Sequence, residues 1–397
     1  MSFFALLETI CASMAFALSF MAICLLALRR DPNGIYRPLI IFFSANAFIE
    51  AVSVLDAFPE YGYFENLSQI AEIISIPAFL LLAPALWLYV RGLTSETRLA
   101  LTKSDGKHFI PFILGAIACS LLLFSPASIR NQIIGDGDGP DTAWIISITL
   151  MIVFIMLMWA AQVIIYIIAL LHRISMYRTR LKDVFASTEG RELKWIVWMI
   201  VLLVATIFIM LPDLFISFSE LIEFIPSVFN VILIWFLAIW GLRQMPGFIA
   251  LGASELPVAS DQTDNLSAFQ SSATKYEKSA LTENDTSRIA KKIEAAMEEN
   301  QLFLDANLSL RLLAKHVSVQ PNYVSQTLNG HIGETFFDYI NRWRIDYAKP
   351  LLANSDETVL NITYDSGFNS RSSFYKAFKK ETGKTPTAYR SFAKSKA

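Results

Sequence analysis

The chain has 397 residues, 54% of them hydrophobic and only 17% charged, with a mean hydropathy of +0.45; soluble domains carry about 25% charged residues. That composition argues against a wholly water-soluble protein, and an odd count of three cysteines argues against a closed disulfide framework. The net charge of −2 hides a division: residues 1–243 hold 15 Lys+Arg and 18 Asp+Glu, whereas residues 284–397 hold 16 and 12, about +4.

Seven stretches approach or exceed the ~20 apolar residues needed to cross a bilayer: roughly 3–28, 36–57, 69–92, 108–124, 143–171, 194–217 and 221–242. The first has no Lys or Arg ahead of its apolar run and is too long for a signal-peptide core, so it reads as a retained span. Pro77, Pro84, Pro111, Pro212 and Pro226 lie within these stretches, where neighbouring groups can satisfy the freed carbonyls. They read as ordinary kinks rather than signal-carrying hinges. Cys11, Cys24 and Cys119 are also in apolar segments, and His108, His172, His316 and His331 show no ligand-like spacing. No phosphate loop, catalytic triad or metal-ligand motif is present, so neither a cofactor nor an enzymatic activity is expected.

Orientation follows from positive charge in the short connections. Arg29, Arg30 and Arg37 flank the first connection, and Arg91, Arg98, Lys103 and Lys107 the third. Arg173, Arg178, Arg180, Lys182, Arg191 and Lys194 flank the fifth, while the opposite connections hold only Arg130. The basic side should be cytoplasmic, giving an outside N-terminus and, after seven spans, an inside C-terminus.

The acidic residues associated with the spans fall toward the other side: Glu8, Glu50, Asp56, Glu60, Glu65, Glu72, Asp213, Glu220 and Glu223. Ionisable groups inside a bilayer are costly and usually face a cavity or a partner. Glu50, Glu72 and Asp213 are the deepest of this set. They point to an outward-facing acidic pocket between spans two, three, six and seven, with Tyr61, Tyr63 and Phe64 walling its opening. Such a pocket suits a cationic or hydrogen-bond-donating small ligand, or protons. The competing reading makes Glu60, Glu65, Glu220 and Glu223 solvated loop charges and Glu50 a protonated group bonded to a neighbouring helix. The Asp136–Asp141 loop lacks the terminal Glu of a calcium loop and reads as a turn.

Residues 244–283 are rich in Ser, Thr, Asp, Gln and Gly and read as a flexible linker. A helix then starts at Asp285-Thr286-Ser287, with Ile289, Ile293 and Met297 on its packing face. Ser309 caps another helix carrying Leu310, Leu313, Ala314 and Val317 on one side. After a turn at 318–320, Pro321 opens a second helix whose exposed Asn322, Ser325 and Gln326 can meet base edges or phosphates.

About twenty residues from Glu334 to Ala353 form one long apolar-faced helix interrupted by Pro350. At ~1.5 Å per residue it spans about 30 Å, close to one DNA turn of roughly 34 Å. Beyond it, Val359, Ile362, Tyr364 and Ser366 mark a short helix, Gly367 a tight turn, and Asn369 an N-cap. In the helix that follows, Phe374 and Phe378 share one face, leaving Arg371, Ser372, Tyr375 and Lys376 on others. Two helix-turn-helix units joined by a helical spacer suit successive major-groove segments on one side of a duplex.

Residues from about 290 to 392 resemble the AraC/XylS-type DNA-binding domain. The resemblance rests on the run Leu308–Ala314, Gly333, Phe336, the run Asn341–Ile345 and Ala348-Lys349. In the second half it rests on Gly367-Phe368, Phe374, Phe378–Lys380, Thr382-Gly383, Thr385-Pro386 and Tyr389-Arg390. It covers about a quarter of the chain. Thr363 stands where the family usually has Ala, Ser318 where it often has Gly, and Pro350 within the linker helix, which puts the spacing of the two reading heads in question. Operators of this family are often read by pairs, so a homodimer stands among the implied partners, though no heptad or dimer motif is visible in the sequence.

The expected architecture is all-α. A polytopic seven-helix transmembrane bundle (1–243) is followed by the linker (244–283) and a cytoplasmic tandem helix-turn-helix domain (284–397). The expected protein is a one-component transcription factor of a bacterial cytoplasmic membrane, sensing a membrane or periplasmic stimulus and binding promoter DNA. Two alternatives stand beside it: a transporter or membrane enzyme fused to a regulator, and a passive anchor.

Overall fold

The computed structural model describes residues 2–29, 31, 34–57, 62–95, 103–125, 143–189, 191–210, 220–244 and 282–396. Among them the chain is helical, with no strand beyond an isolated antiparallel bridge between Phe185 and Ser309. It divides into two compact units: residues 1–174 with 194–259, and residues 175–193 with 260–397. The linker expected at 244–283 lies almost wholly outside the described residues.

In the first unit, α1 (Phe3–Leu28), α2 (Arg37–Asp56), α3 (Gly62–Leu93) and α4 (Ile110–Leu123) follow one another. Next come α5 (Ala143–Val184), whose residues from 175 on belong to the second unit, α6 (Lys194–Met210) and α7 (Glu220–Arg243). α2 packs between α1 and α3, α1 also against α7, α4 against α3, and α6 against α7. Six described helices are long and apolar enough to cross a bilayer. α6 is shorter at 17 residues, and the rest of the expected sixth span lies outside the described residues. Along α5, Leu150, Phe154, Leu157, Ile164 and Ile168 are all exposed. Their spacing makes one apolar stripe, the surface that a lipid solvent favours.

α5 has 42 residues, about 63 Å at ~1.5 Å each, twice the ~30 Å of a hydrocarbon core. The excess is polar: its last dozen residues carry Arg173, Arg178, Arg180 and Lys182.

The second unit is built on α8 (Glu283–Glu298), α9 (Leu310–His316), α10 (Pro321–Gln326), α11 (Phe336–Asn354), α12 (Val359–Asp365), α13 (Arg371–Thr382) and α14 (Pro386–Lys396). α8 starts slightly earlier than the sequence suggests. Thr282 is its cap, accepting from the Asp285 amide at 3.2 Å while the Asp285 carboxylate accepts from Thr282 Oγ1 at 2.7 Å and from its amide at 3.4 Å. Its Ile289, Ile293 and Met297 are buried as expected.

Two cores share the spacer helix. Tyr339 and Ile340 of α11 join Ile293, Leu313 and Val324 in one; Ile345, Ala348 and Leu352 join Ile362, Phe374 and Phe378 in the other. α11 runs unbroken through Pro350. The missing amide costs one bond four residues from the helix end, and Ser355 closes the last turn through Leu351.

Candidate DNA interface and membrane cavity

The first helix-turn-helix begins where Ser309 accepts from the Leu312 amide at 3.3 Å. Leu310, Leu313, Ala314 and Val317 are buried, as their spacing requires. The turn is made by Ser318 at φ 52°, the left-handed region that favours glycine. This is the position where the resembled family often has Gly. Pro321 then occupies the first turn of α10, where its missing amide costs nothing.

α10 passes at Gln326 into a π-helical turn, Thr327–Ile332, closed by Gly333 at φ 81°. Val324 and Leu328 anchor this helix in the core, leaving Asn322 exposed and Ser325 and Gln326 half-buried. Ser325 Oγ accepts from Asn329 Nδ2 at 3.3 Å.

The second helix-turn-helix repeats the plan. Thr358 caps α12 by accepting from the Asn361 amide at 3.1 Å. Thr363 is fully buried, and its Oγ1 donates to the Val359 carbonyl at 2.7 Å. The hydroxyl is thus satisfied where the family usually has Ala.

Gly367 turns the chain at φ 81°. The cap of α13 differs from the sequence expectation: Ser370, not Asn369, accepts from the Ser373 amide at 3.3 Å. Asn369 is engaged elsewhere, its Nδ2 donating to the Ala306 carbonyl at 3.2 Å. A tertiary partner has taken the side chain that local chemistry would have made the cap.

Phe374 and Phe378 are fully buried, worth about 1.5–3 kcal/mol each. Their burial leaves Arg371, Ser372 and Lys376 exposed and Tyr375 half-buried. The Arg371 guanidinium lies 4.9 Å from the Tyr375 ring centre and donates to Tyr375 Oη at 3.1 Å. Tyr375 Oη also pairs with Thr387 Oγ1 at 3.4 Å. The Thr387 bond first, and the Arg371 bond and charge with it, hold the Tyr375 phenol below its usual range. The planar fork of Arg371 is therefore held against Tyr375.

Sequence reading missed Arg344, which is fully buried. Its Nε donates to the Phe303 carbonyl at 2.7 Å, Nη2 to the Asp305 carbonyl at 2.8 Å, and Nη1 to the Ala186 carbonyl at 3.4 Å. Burial lowers its pKa to about 10, so it is charged at neutral pH. A signal for it existed, because Arg344 stands four residues from both Ile340 and Ala348 on the buried stripe of α11.

In the first unit the helix ends rich in basic residues are tied together. Arg29 at the end of α1 donates to the Leu242 carbonyl near the end of α7. Arg91 at the end of α3 pairs with Asp105 ahead of α4. Arg173 of α5 donates to Thr94 Oγ1 at 2.6 Å.

Glu8, Glu50 and Glu72 line a cavity of ≈ 810 Å³ together with Asn46, Thr206 and Asn230. Its walls come from α1, α2, α3, α6 and α7, with Trp159 of α5. Asn230 Nδ2 donates to Glu50 Oε1 at 2.6 Å, and Asn46 Nδ2 to Ser19 Oγ at 3.1 Å. Asp213, Tyr61 and the side chains of Tyr63 and Phe64 lie outside the described residues.

Residues 313–391 match the family model described as "Helix-turn-helix domain". The chain is similar to the melibiose operon regulatory protein of Escherichia coli K12, 32% identical over 92 residues, 23% of this chain and 30% of that protein. It is also similar to the regulatory protein PocR of Salmonella typhimurium, 35% identical over 111 residues, 27% of this chain and 37% of that one. An uncharacterized HTH-type transcriptional regulator of Staphylococcus aureus is 32% identical over 99 residues, 25% of this chain and 13% of that protein. The chain thus spans between about an eighth and somewhat more than a third of these relatives. The C-terminal part of the chain carries an AraC-type helix-turn-helix domain.

Proposed function

We propose that the chain is a membrane-integrated one-component transcription factor that binds double-stranded promoter DNA through both helix-turn-helix units. The observation that carries this reading is a pair of helices that share one spacer helix as their core and keep polar side chains exposed or half-buried on their other faces. Asn322, Ser325 and Gln326 serve the first helix-turn-helix, and Arg371, Ser372, Tyr375 and Lys376 the second. The 19-residue α11 is about 28 Å long, near the roughly 34 Å of a DNA turn. Arg371 suits guanine acceptors and Lys376 a phosphate. A pair of chains on one operator suits the same geometry.

The N-terminal seven spans hold the protein in a bacterial cytoplasmic membrane, with the N-terminus outside and residues 284–397 in the cytoplasm, beyond a flexible linker at 244–283. The linking of Arg29, Arg91 and Arg173 at one set of helix ends supports that alternation. The cavity lined by Glu8, Glu50 and Glu72 supports a sensing role for spans 1–243, with a cationic or hydrogen-bond-donating ligand, or protons, as the stimulus. Glu50, Glu72 and Asp213 are its ligand-binding residues in this reading. A passive anchor would need only one or two spans and no cavity.

Reporter fusions test the arrangement. A periplasm-active enzyme joined after Glu65 or Asp138 is expected to be active, and one joined after Lys182 or Ser260 silent. The reverse pattern would put the helix-turn-helix domain on the wrong side of the membrane and end this reading.

A further inference from the structure

Residues 185–189 follow the polar end of α5 and are seated within the second unit. Phe185 pairs with Ser309 in an antiparallel bridge, and the Ala186 amide donates to the Leu308 carbonyl at 3.2 Å. Both side chains are buried, and Ala186 belongs to the same core as Ile293, Leu313 and Ile340. The Ala186 carbonyl accepts from Arg344, and the Arg191 guanidinium covers the Phe185 ring at 4.0 Å. Three residues on, the Glu189 carboxylate accepts a hydrogen bond from Ser370 Oγ, the cap of α13.

That last contact falls at a chemically marked place. The N-terminus of a helix presents unpaired amides and a partial positive charge, which favour an anion. In protein–DNA complexes, helix N-termini and hydroxyl side chains are among the groups that hold backbone phosphates. Glu189 brings an anionic oxygen acceptor to the cap of the helix that carries Arg371 and Lys376. The backbone pairing and the burial of Phe185 and Ala186 seat the segment that carries that carboxylate.

We propose that residues 185–189 are a docked segment of the DNA-binding unit in which Glu189 takes the position of a DNA phosphate at the N-terminus of α13, so that the seated segment and DNA compete. The surface formed by Phe303–Ser309, Arg344 and Ser370 accepts a peptide with a small apolar residue three positions before an acid. Its occupant is the chain's own connection between α5 and α6. DNA affinity then depends on whether the end of α5 is seated or released, which gives the membrane helices a means of setting it. The proposal rests on the DNA-binding reading.

The test uses the full chain in lipid nanodiscs and a labelled mixed-sequence duplex of about 30 base pairs, roughly three turns, since phosphate contacts are independent of sequence. Glu189→Gln is expected to bind this duplex roughly three- to tenfold more tightly than wild type at the same salt. A Glu189→Cys/Ser370→Cys chain, joined by a short reducible bis-methanethiosulfonate, is expected to bind at least about tenfold more weakly than after reduction. Wild-type affinity in Glu189→Gln, failure of the two cysteines to join, or equal binding before and after reduction would each overturn the proposal. If neither wild type nor Glu189→Gln binds the duplex even at low salt, the DNA-binding reading falls, and the proposal with it.

Discussion

A methyl group placed on Gly367 would lie 2.6 Å from the carbonyl oxygen of Phe303 and 2.8 Å from that of Leu304. The turn of the second helix-turn-helix is thus pressed against the backbone that leads into the first. The obstacle is main chain, which cannot move aside as a flexible side chain would. Gly367 also sits at φ 81°. Gly367→Ala therefore meets both a strained backbone and a clash, and is expected to cost about 2–4 kcal/mol. Hydrogen exchange on the full chain should show lost protection in residues 302–305 and 362–378.

Ser318 presents the opposite case. Its φ of 52° is costly for any residue with a side chain, by about 1 kcal/mol. Ser318→Gly should raise protection of the Leu313–Val324 amides by about 0.5–1 kcal/mol. Ser318→Val, β-branched at the same φ, should lower it.

Arg344 holds three carbonyls with one planar group. A lysine there has the charge but not the fork, and cannot reach the Phe303, Asp305 and Ala186 oxygens together. Arg344→Lys is expected to destabilise the second unit by about 2–4 kcal/mol. Protection should fall around Phe303–Leu308, whereas the helices of the first unit keep theirs.

The residues proposed to face DNA should separate by kind of contact. Arg371→Ala is expected to weaken binding to a selected duplex by about 1–3 kcal/mol and to relax preference at one base position. Lys376→Ala should weaken all sequences alike and flatten the salt dependence by about one ion. Tyr375→Phe removes the hydroxyl that accepts from Arg371. It should reduce preference at the Arg371 position more than it reduces affinity for mixed-sequence DNA. Titrations at two salt concentrations distinguish the three.

Much of this was legible in the residues. Apolar runs placed the long apolar helices, Ser309 marked a cap, and Phe374 with Phe378 fixed the buried face of α13. These signals are local: a helix carries its own period and its own end chemistry. What stayed hidden depends on residues far away in sequence. Ser370 caps α13 because Ala306 holds Asn369. Residues 185–189 carry no pattern announcing that they pair with Leu308 and Ser309 more than a hundred positions later. The cavity shows a middle case. Carboxylates in apolar stretches flagged Glu50 and Glu72, but only the packing of α1 against α2 and α7 adds Glu8, Asn46 and Asn230 to the same walls.

The central claim is that one chain is at once in the membrane and on the chromosome. Cells expressing the tagged full chain can be cross-linked, their membranes isolated, and the DNA recovered with the chain sequenced. The account predicts discrete DNA sites sharing a sequence motif, recovered from the membrane fraction and lost in the Arg371→Ala/Lys376→Ala double variant. A chain found in the membrane without enriched DNA, or with the same sites in the double variant, would contradict it.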